Sequence, residues 1–176
     1  MTPYRSNKYI GIDPGKSGGL VVIDETGNTK AYKCPEKVLD MSLLFQNAVG
    51  NTAPDEVKLL MERVWARPSN ATRAAFTYGV NYGQWLGIAA SHEIKMYTTL
   101  PNAWIKWIGC PKALEVRKRK HWLRDKAKEL YPGLNKVTLA TADAILIGHY
   151  AKKEYFNEET NSIPKDGNKK DDKKKK

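Results

Sequence analysis

Tyr9-Ile10-Gly11-Ile12-Asp13-Pro14-Gly15 is an apolar run that ends in a carboxylate and is broken at once by proline and glycine. Its length and its turn residues predict a strand over Lys8 to Asp13 with the acid at its end. Gly18-Gly19-Leu20-Val21-Val22-Ile23-Asp24 predicts a second strand, Glu25-Thr26-Gly27-Asn28 a turn, and Thr29 to Lys33 a third strand, giving an antiparallel meander. Pro35 then opens a helix in which Val38, Met41, Phe45 and Ala48 recur at helical spacing, ending near Gly50. A loop from Asn51 to Asp55 leads into Val57-Lys58-Leu59-Leu60-Met61-Glu62, a second short apolar run closed by an acid. With a helix between them, a crossover laying this strand parallel to the first is the economical topology. Asp13 and Glu62 then sit at neighbouring strand ends.

A second helix is predicted over roughly Ala71 to Ala90, and in it Gly79, Gly83 and Gly87 recur every fourth residue on one face. Each interior glycine costs about 1 kcal/mol relative to alanine, so the bare face calls for close approach of another backbone, either the sheet of the same chain or a partner subunit. A short strand over Glu93 to Thr99 and the segment Pro101-Asn102-Ala103-Trp104-Ile105-Lys106-Trp107 follow. A basic helix runs from about Ala113 to Tyr131, stopped by Pro132-Gly133, and a last helix from Ala140 to Tyr155 with Thr138 or Thr141 as its N-cap. Asp143 falls in the first turn of that helix, where the helix dipole favours an anion. The pattern is an α/β fold.

The chain has 176 residues, 41% hydrophobic and 28% charged, enough for one core, and predicts one domain over residues 1–156. The last twenty residues, 157–176, carry seven lysines and five acids with little apolar content, and are expected to stay disordered. Of the formal charge of +11 this tail accounts for +2, so the folded part is itself strongly basic. That excess favours a polyanionic partner, although a basic protein can also carry its charge on solvated faces. Cys34 and Cys110 stand far apart with no CxxC pairing, which fits core or surface thiols in a reducing cytosol. No apolar run approaches a membrane span, and Met1-Thr2-Pro3-Tyr4-Arg5 carries no apolar leader, so a soluble cytoplasmic protein without membrane partners is expected.

Two acids at strand ends and one at a helix start would repel one another if brought together without a cation. All-oxygen ligands of this kind suit Mg²⁺, with Mn²⁺ as its substitute, and not Zn²⁺, which prefers Cys and His. Two such ions can activate a water and stabilise the leaving oxygen of a phosphodiester. Taken singly, each acid is more simply a surface or capping carboxylate. It is the joint placement of Asp13, Glu62 and Asp143 that points to a metal site. Basic residues are densest at Arg117-Lys118-Arg119-Lys120-His121, near Lys112 and Arg124. On a helix they spread over every face, so only part of the run can meet a DNA backbone. Tyr78, Tyr82 and Gln84 lie on the glycine helix and could line a groove; His149, six residues beyond Asp143, is rotated to about the far side of its helix.

Gly11-Ile12-Asp13-Pro14-Gly15, Gly18-Gly19-Leu20-Val21-Val22-Ile23, Met61-Glu62 and Ala142-Asp143-Ala144-Ile145-Leu146-Ile147, taken in this order, resemble the RuvC-type Holliday junction resolvases of the RNase H-like superfamily, in a phage-like version. The resemblance spans about residues 8 to 155. It implies an RNase H-like fold, a mixed five-stranded sheet flanked by helices. It also implies a homodimer that cuts opposing strands of a four-way DNA junction with Mg²⁺, and Asp13, Glu62 and Asp143 as metal-binding catalytic acids. Trp65 stands where such resolvases carry an aromatic wedge for the junction core, and a tryptophan packed at the strand end is the plainer alternative. Lys106, Lys112, Arg117, Lys118, Arg119 and Lys120 are the expected DNA contacts. The chain departs from the family at Ala140, where many relatives carry a further acidic or histidine ligand, with Asp24 and Asp40 poor substitutes. It departs again at Ile105, which separates Trp104 from the basic Lys106.

Other readings stay in view. A debranching or flap endonuclease with broader substrate choice shares every feature named, and a non-cleaving junction-binding module would keep the fold, though it would not need three acids. Sugar kinases and actin-like ATPases open on a similar acid-bearing strand but need two domains and a second phosphate loop, for which this chain has neither length nor sequence.

Overall fold

The computed structural model describes residues 7–65 and 71–157. The expected disordered tail, apart from Asn157, and the segment 1–5 lie outside the described residues. Five strands, β1 (Lys8–Asp13), β2 (Gly19–Asp24), β3 (Thr29–Lys33), β4 (Val57–Glu62) and β5 (Met96–Thr99), form one mixed sheet in the order β3-β2-β1-β4-β5. The meander β1-β2-β3 is antiparallel, and β4 and β5 run parallel to β1. Among the described residues, five α-helices flank the sheet: α1 (Val38–Val49), α2 (Thr72–Ser91), α3 (Pro101–Trp107), α4 (Val116–Leu130) and α5 (Ala142–Tyr150), the last continued by a π-helical turn over Ala151–Tyr155.

Strand alternation sorts the sheet's side chains onto two cores. Ile10, Ile12, Leu20, Leu59 and Met61 pack with Met41, Phe45 and Trp85 of α1 and α2. Tyr9, Val21, Ile23 and Leu60 face the other way, with Trp104, Leu123, Ile145 and Ile147 from α3, α4 and α5. Asp13 continues the Tyr9-Gly11 parity and Glu62 the Leu60 parity, so both acids emerge on the face covered by α3 to α5.

Gly11 fixes how closely that cover sits. A Cβ there would fall inside the backbone of Gly148 and within 2.6 Å of the Ala144 carbonyl oxygen, so α5 lies directly on β1 where neither strand nor helix presents a side chain. This contact sets the first turn of α5, and with it Asp143, over the end of β1.

Four boundaries differ from the sequence reading. α1 starts at Val38 and not at Pro35, because residues 36–37 form a bend; its buried face is Met41, Phe45, Ala48 and Val49, and Val38 is exposed. β5 starts at Met96, since Glu93 takes φ 58° in the turn leaving α2. α4 starts at Val116. α5 starts at Ala142, after a turn in which the Thr138 N–H donates to Thr141 Oγ1 at 3.0 Å and the Thr141 N–H donates back to Thr138 Oγ1 at 3.3 Å. The glycine face of α2 bears on the choice left open between the sheet and a partner subunit. A Cβ at Gly79, Gly83 or Gly87 would meet nothing within 4 Å, so among the described residues no sheet or helix of the same chain covers it. Both cysteines are free and buried, and among the described residues no helix is long and apolar enough to cross a membrane.

Candidate active site

The parallel pairing of Gly11 with Leu60 and Ile12 with Met61, carried one residue further, sets Asp13 beside Glu62 at the carboxyl ends of two adjacent strands. Asp143 joins them from the first turn of α5. All three line one open cleft of about 460 Å³, together with Ser17, Arg63, Trp65, Tyr78, Tyr82 and Lys120. Among the described residues, no three His, Cys, Asp or Glu side chains are drawn in tightly enough to form a finished cage for a metal ion. The three acids line one cleft without forming such a cage.

Their titration reports that environment. Burial, then the charges of Asp143 and Glu62, hold the Asp13 carboxyl well above the usual range, with Lys120 opposing. Burial lifts Glu62 to about 7 against a hydrogen bond from Trp104, with Asp143 adding to the rise and Lys120 and Arg119 opposing it. Burial also raises Asp143, again against Lys120 and Arg119. The donors these three residues offer are carboxylate oxygens alone, the ligand type that hard cations take.

Three supports hold the set. Asn81, buried in the interior of α2, accepts the Gly15 N–H at 2.7 Å through Oδ1 and turns Nδ2 to the sulfurs of Cys34 at 3.6 Å and Met41 at 3.9 Å. That bond pins the turn after Asp13, where Gly15 adopts φ 126°, a conformation open to glycine. Trp104, on α3, donates its indole Nε1–H to Glu62 Oε2 at 2.8 Å. Beyond Glu62, the Arg63 N–H donates to the Thr99 carbonyl at 2.8 Å, which carries the chain along the cleft rim towards Trp65.

Of the expected DNA contacts, Trp65 lines the cleft and is 49% exposed. Lys120 lines the cleft, and Arg119, half-buried, is near enough to act on Glu62 and Asp143. Lys106, Lys112, Arg117 and Lys118 are exposed and outside the cleft lining, Lys118 standing 3.8 Å from Glu115. Tyr78 and Tyr82 line the cleft and Gln84 does not. His149 faces away, exchanging a hydrogen bond of 2.9 Å with Tyr131 through Nδ1. Asp24 accepts bonds from Thr26 and Asn28 in the β2-β3 turn, at the other end of its strand from the cleft.

Sequence reasoning did not find Asn81 or Trp104 as supports, nor single out Lys120. Lys120 had a signal: it shares a helical stripe with Leu123 and Ala127, the buried face of an otherwise basic helix. Asn81 had a weaker one, as an asparagine inside a helix beside the core residue Trp85.

No family model matches the chain, and no curated protein does. Among solved structures, the chain is similar to RuvC of T. thermophilus in complex with Holliday junction substrate, at 17% identity over 83% of this chain and 95% of that one, with a TM-score of 0.53. A second Thermus thermophilus RuvC structure aligns at 16% identity over 81% of this chain and 94% of that one, with a TM-score of 0.45. The fold is therefore RNase H-like: a mixed five-stranded sheet with flanking helices, as in RuvC.

Proposed function

We propose that this chain is a metal-dependent endonuclease that resolves four-way DNA junctions, with Mg²⁺ as its cofactor and Mn²⁺ able to replace it. The observation that carries the reading is the meeting of Asp13, Glu62 and Asp143, from β1, β4 and α5, in one cleft that also holds Lys120 and Trp65. The solved RuvC structure of the same fold is described with Holliday junction substrate, and this supports the same substrate class here.

Asp13, Glu62 and Asp143 would hold the metal, and their oxygen-only chemistry and raised carboxyl pKa values fit it. When bound, divalent ions at such a site activate a water and stabilise the leaving oxygen of a phosphodiester. The chain's own residues do the rest. Lys120 brings a cation to the phosphate beside the acids. Trp65, Tyr78 and Tyr82 offer aromatic faces on which an unpaired base can stack, worth about 1 to 3 kcal/mol per base. Arg119 and the exposed Lys106, Lys112, Arg117 and Lys118 contribute sequence-independent attraction to the DNA backbone.

Paired cuts on opposing strands call for two copies of the site, so the working form is a homodimer. The uncovered face of α2 supports this: Phe76 is 73% exposed, Val80 42% and Leu86 42%, alongside the three bare glycines. A second copy of the same helix could approach closely there. Recombination or phage genome processing in the bacterial cytoplasm is the setting that fits.

Labelled four-way junctions, flaps and duplexes, each incubated with Mg²⁺ or with chelator, test the reading. Symmetric nicks near the branch point of the four-way junction, lost with chelator, are expected. Cuts in every branched form would instead define a debranching enzyme, mobility shifts without cutting a binding module, and ATP turnover without DNA a kinase-like protein.

A further inference from the structure

We propose that Trp104 is a positioning residue for Glu62, an inference that rests on reading Glu62 as a metal-holding acid. The three acids are not held alike. Asp13 and Asp143 are short side chains whose carboxylates follow closely from the backbone of a strand end and a helix turn. Glu62 has one more rotatable bond and, alone, would sample several orientations within the cleft. Trp104 removes that freedom. Its ring is 1% exposed, locked in the core between α3 and the sheet, and its Nε1–H reaches Glu62 Oε2 at 2.8 Å.

The donor chemistry matches this task. An indole N–H donates only, so it can partner a carboxylate oxygen and cannot reverse the bond. It is also neutral, and so orients Glu62 without cancelling the charge that a cation needs. A lysine or arginine at the same place would form an ion pair that competes with the metal. With one lone pair of Oε2 engaged, Oε1 and the second lone pair of Oε2 remain to accept. Lys120 complements the arrangement, since it approaches the acids as an exposed, movable charge that can turn to phosphate.

Calorimetric titration of Mn²⁺ into the full chain without DNA tests the proposal on parent, Glu62→Gln, Trp104→Phe and the double variant. Trp104→Phe keeps most of the ring volume and removes the donor. It should weaken Mn²⁺ binding by about 10- to 100-fold, the range for lost outer partners of a ligand. In the Glu62→Gln background it should add nothing, because the group it positions is gone. Parental affinity in a folded Trp104→Phe protein, or an equal loss in both backgrounds, would overturn the positioning role and leave the parent reading standing. Failure of the parent chain to bind Mn²⁺ at all would overturn both. Should Trp104→Phe not fold, the indole proton resonance of Trp104 in the parent serves: it should move on addition of Mg²⁺ while that of Trp85 stays. An unmoved Trp104 resonance under Mg²⁺ that shifts Asp13 and Asp143 would equally overturn the proposal.

Discussion

Asp13, Glu62 and Asp143 concentrate anionic charge in a cleft whose burial opposes it. Asp13→Asn or Asp143→Asn should lower junction cutting by more than about a hundredfold, beyond the usual loss for an outer partner. Junction binding should survive, since the basic surface is untouched; gel shifts beside cleavage assays check both. Glu62 adds a dependence on pH. Its carboxyl titrates near 7 in the folded chain against an ordinary 4.5, so between those values the folded state holds more protons than the unfolded one. In chelator, melting temperature should therefore fall as pH rises through that window, Asp13 and Asp143 pulling the same way. Mg²⁺ should reverse the fall most strongly at the upper end, where the carboxylates are ionised. Trp65→Ala should impair cutting of intact junctions about tenfold more than of pre-nicked ones if the ring stacks in the branch point. Equal loss on both substrates would mean that it acts by packing. The three acids were legible because each closes or opens an apolar element. Trp104 was not, and Asn81 only faintly, because a side-chain bond to a residue 42 or 66 positions away leaves little local trace.

At the level of elements, the contact between β1 and α5 decides whether the acids share a cleft. Gly11→Ala would push a methyl group into the backbone of Gly148 and Ala144, which cannot step aside as a flexible side chain could. A loss of about 3 kcal/mol, the upper range for overpacking, is expected by denaturant titration. Cutting should fall as well, because Asp143 moves with α5. The first four strands were readable almost to the residue, since short β-rich runs between Pro, Gly and Asn leave little choice of bounds, whereas β5 begins three residues late. Helix starts were less so. Pro35 is a good first-turn residue but is followed here by a bend, and the reciprocal Thr138–Thr141 bonds hold the chain in a turn before α5 begins. Both are choices made by local hydrogen bonding that periodicity does not record.

For the whole molecule, the exposed face of α2 and the open cleft pose the same question of what completes them. The glycine spacing had left both a sheet and a partner subunit open; among the described residues no sheet covers those glycines, and Gly79 lines the cleft. Phe76→Asp should convert dimers to monomers in sedimentation velocity without altering the far-UV spectrum; a parent chain that is monomeric at high concentration would contradict this. Convergence of the three acids on shared metal is likewise what the proposed function requires, and among the described residues they do not form a closed metal cage. Crystals of the protein soaked in Mn²⁺ and measured at the manganese edge put that requirement to the most direct test. The anomalous map should hold a peak bounded by the carboxylates of Asp13, Glu62 and Asp143, and a cleft empty of signal at saturating Mn²⁺, or a peak held elsewhere, would contradict the account.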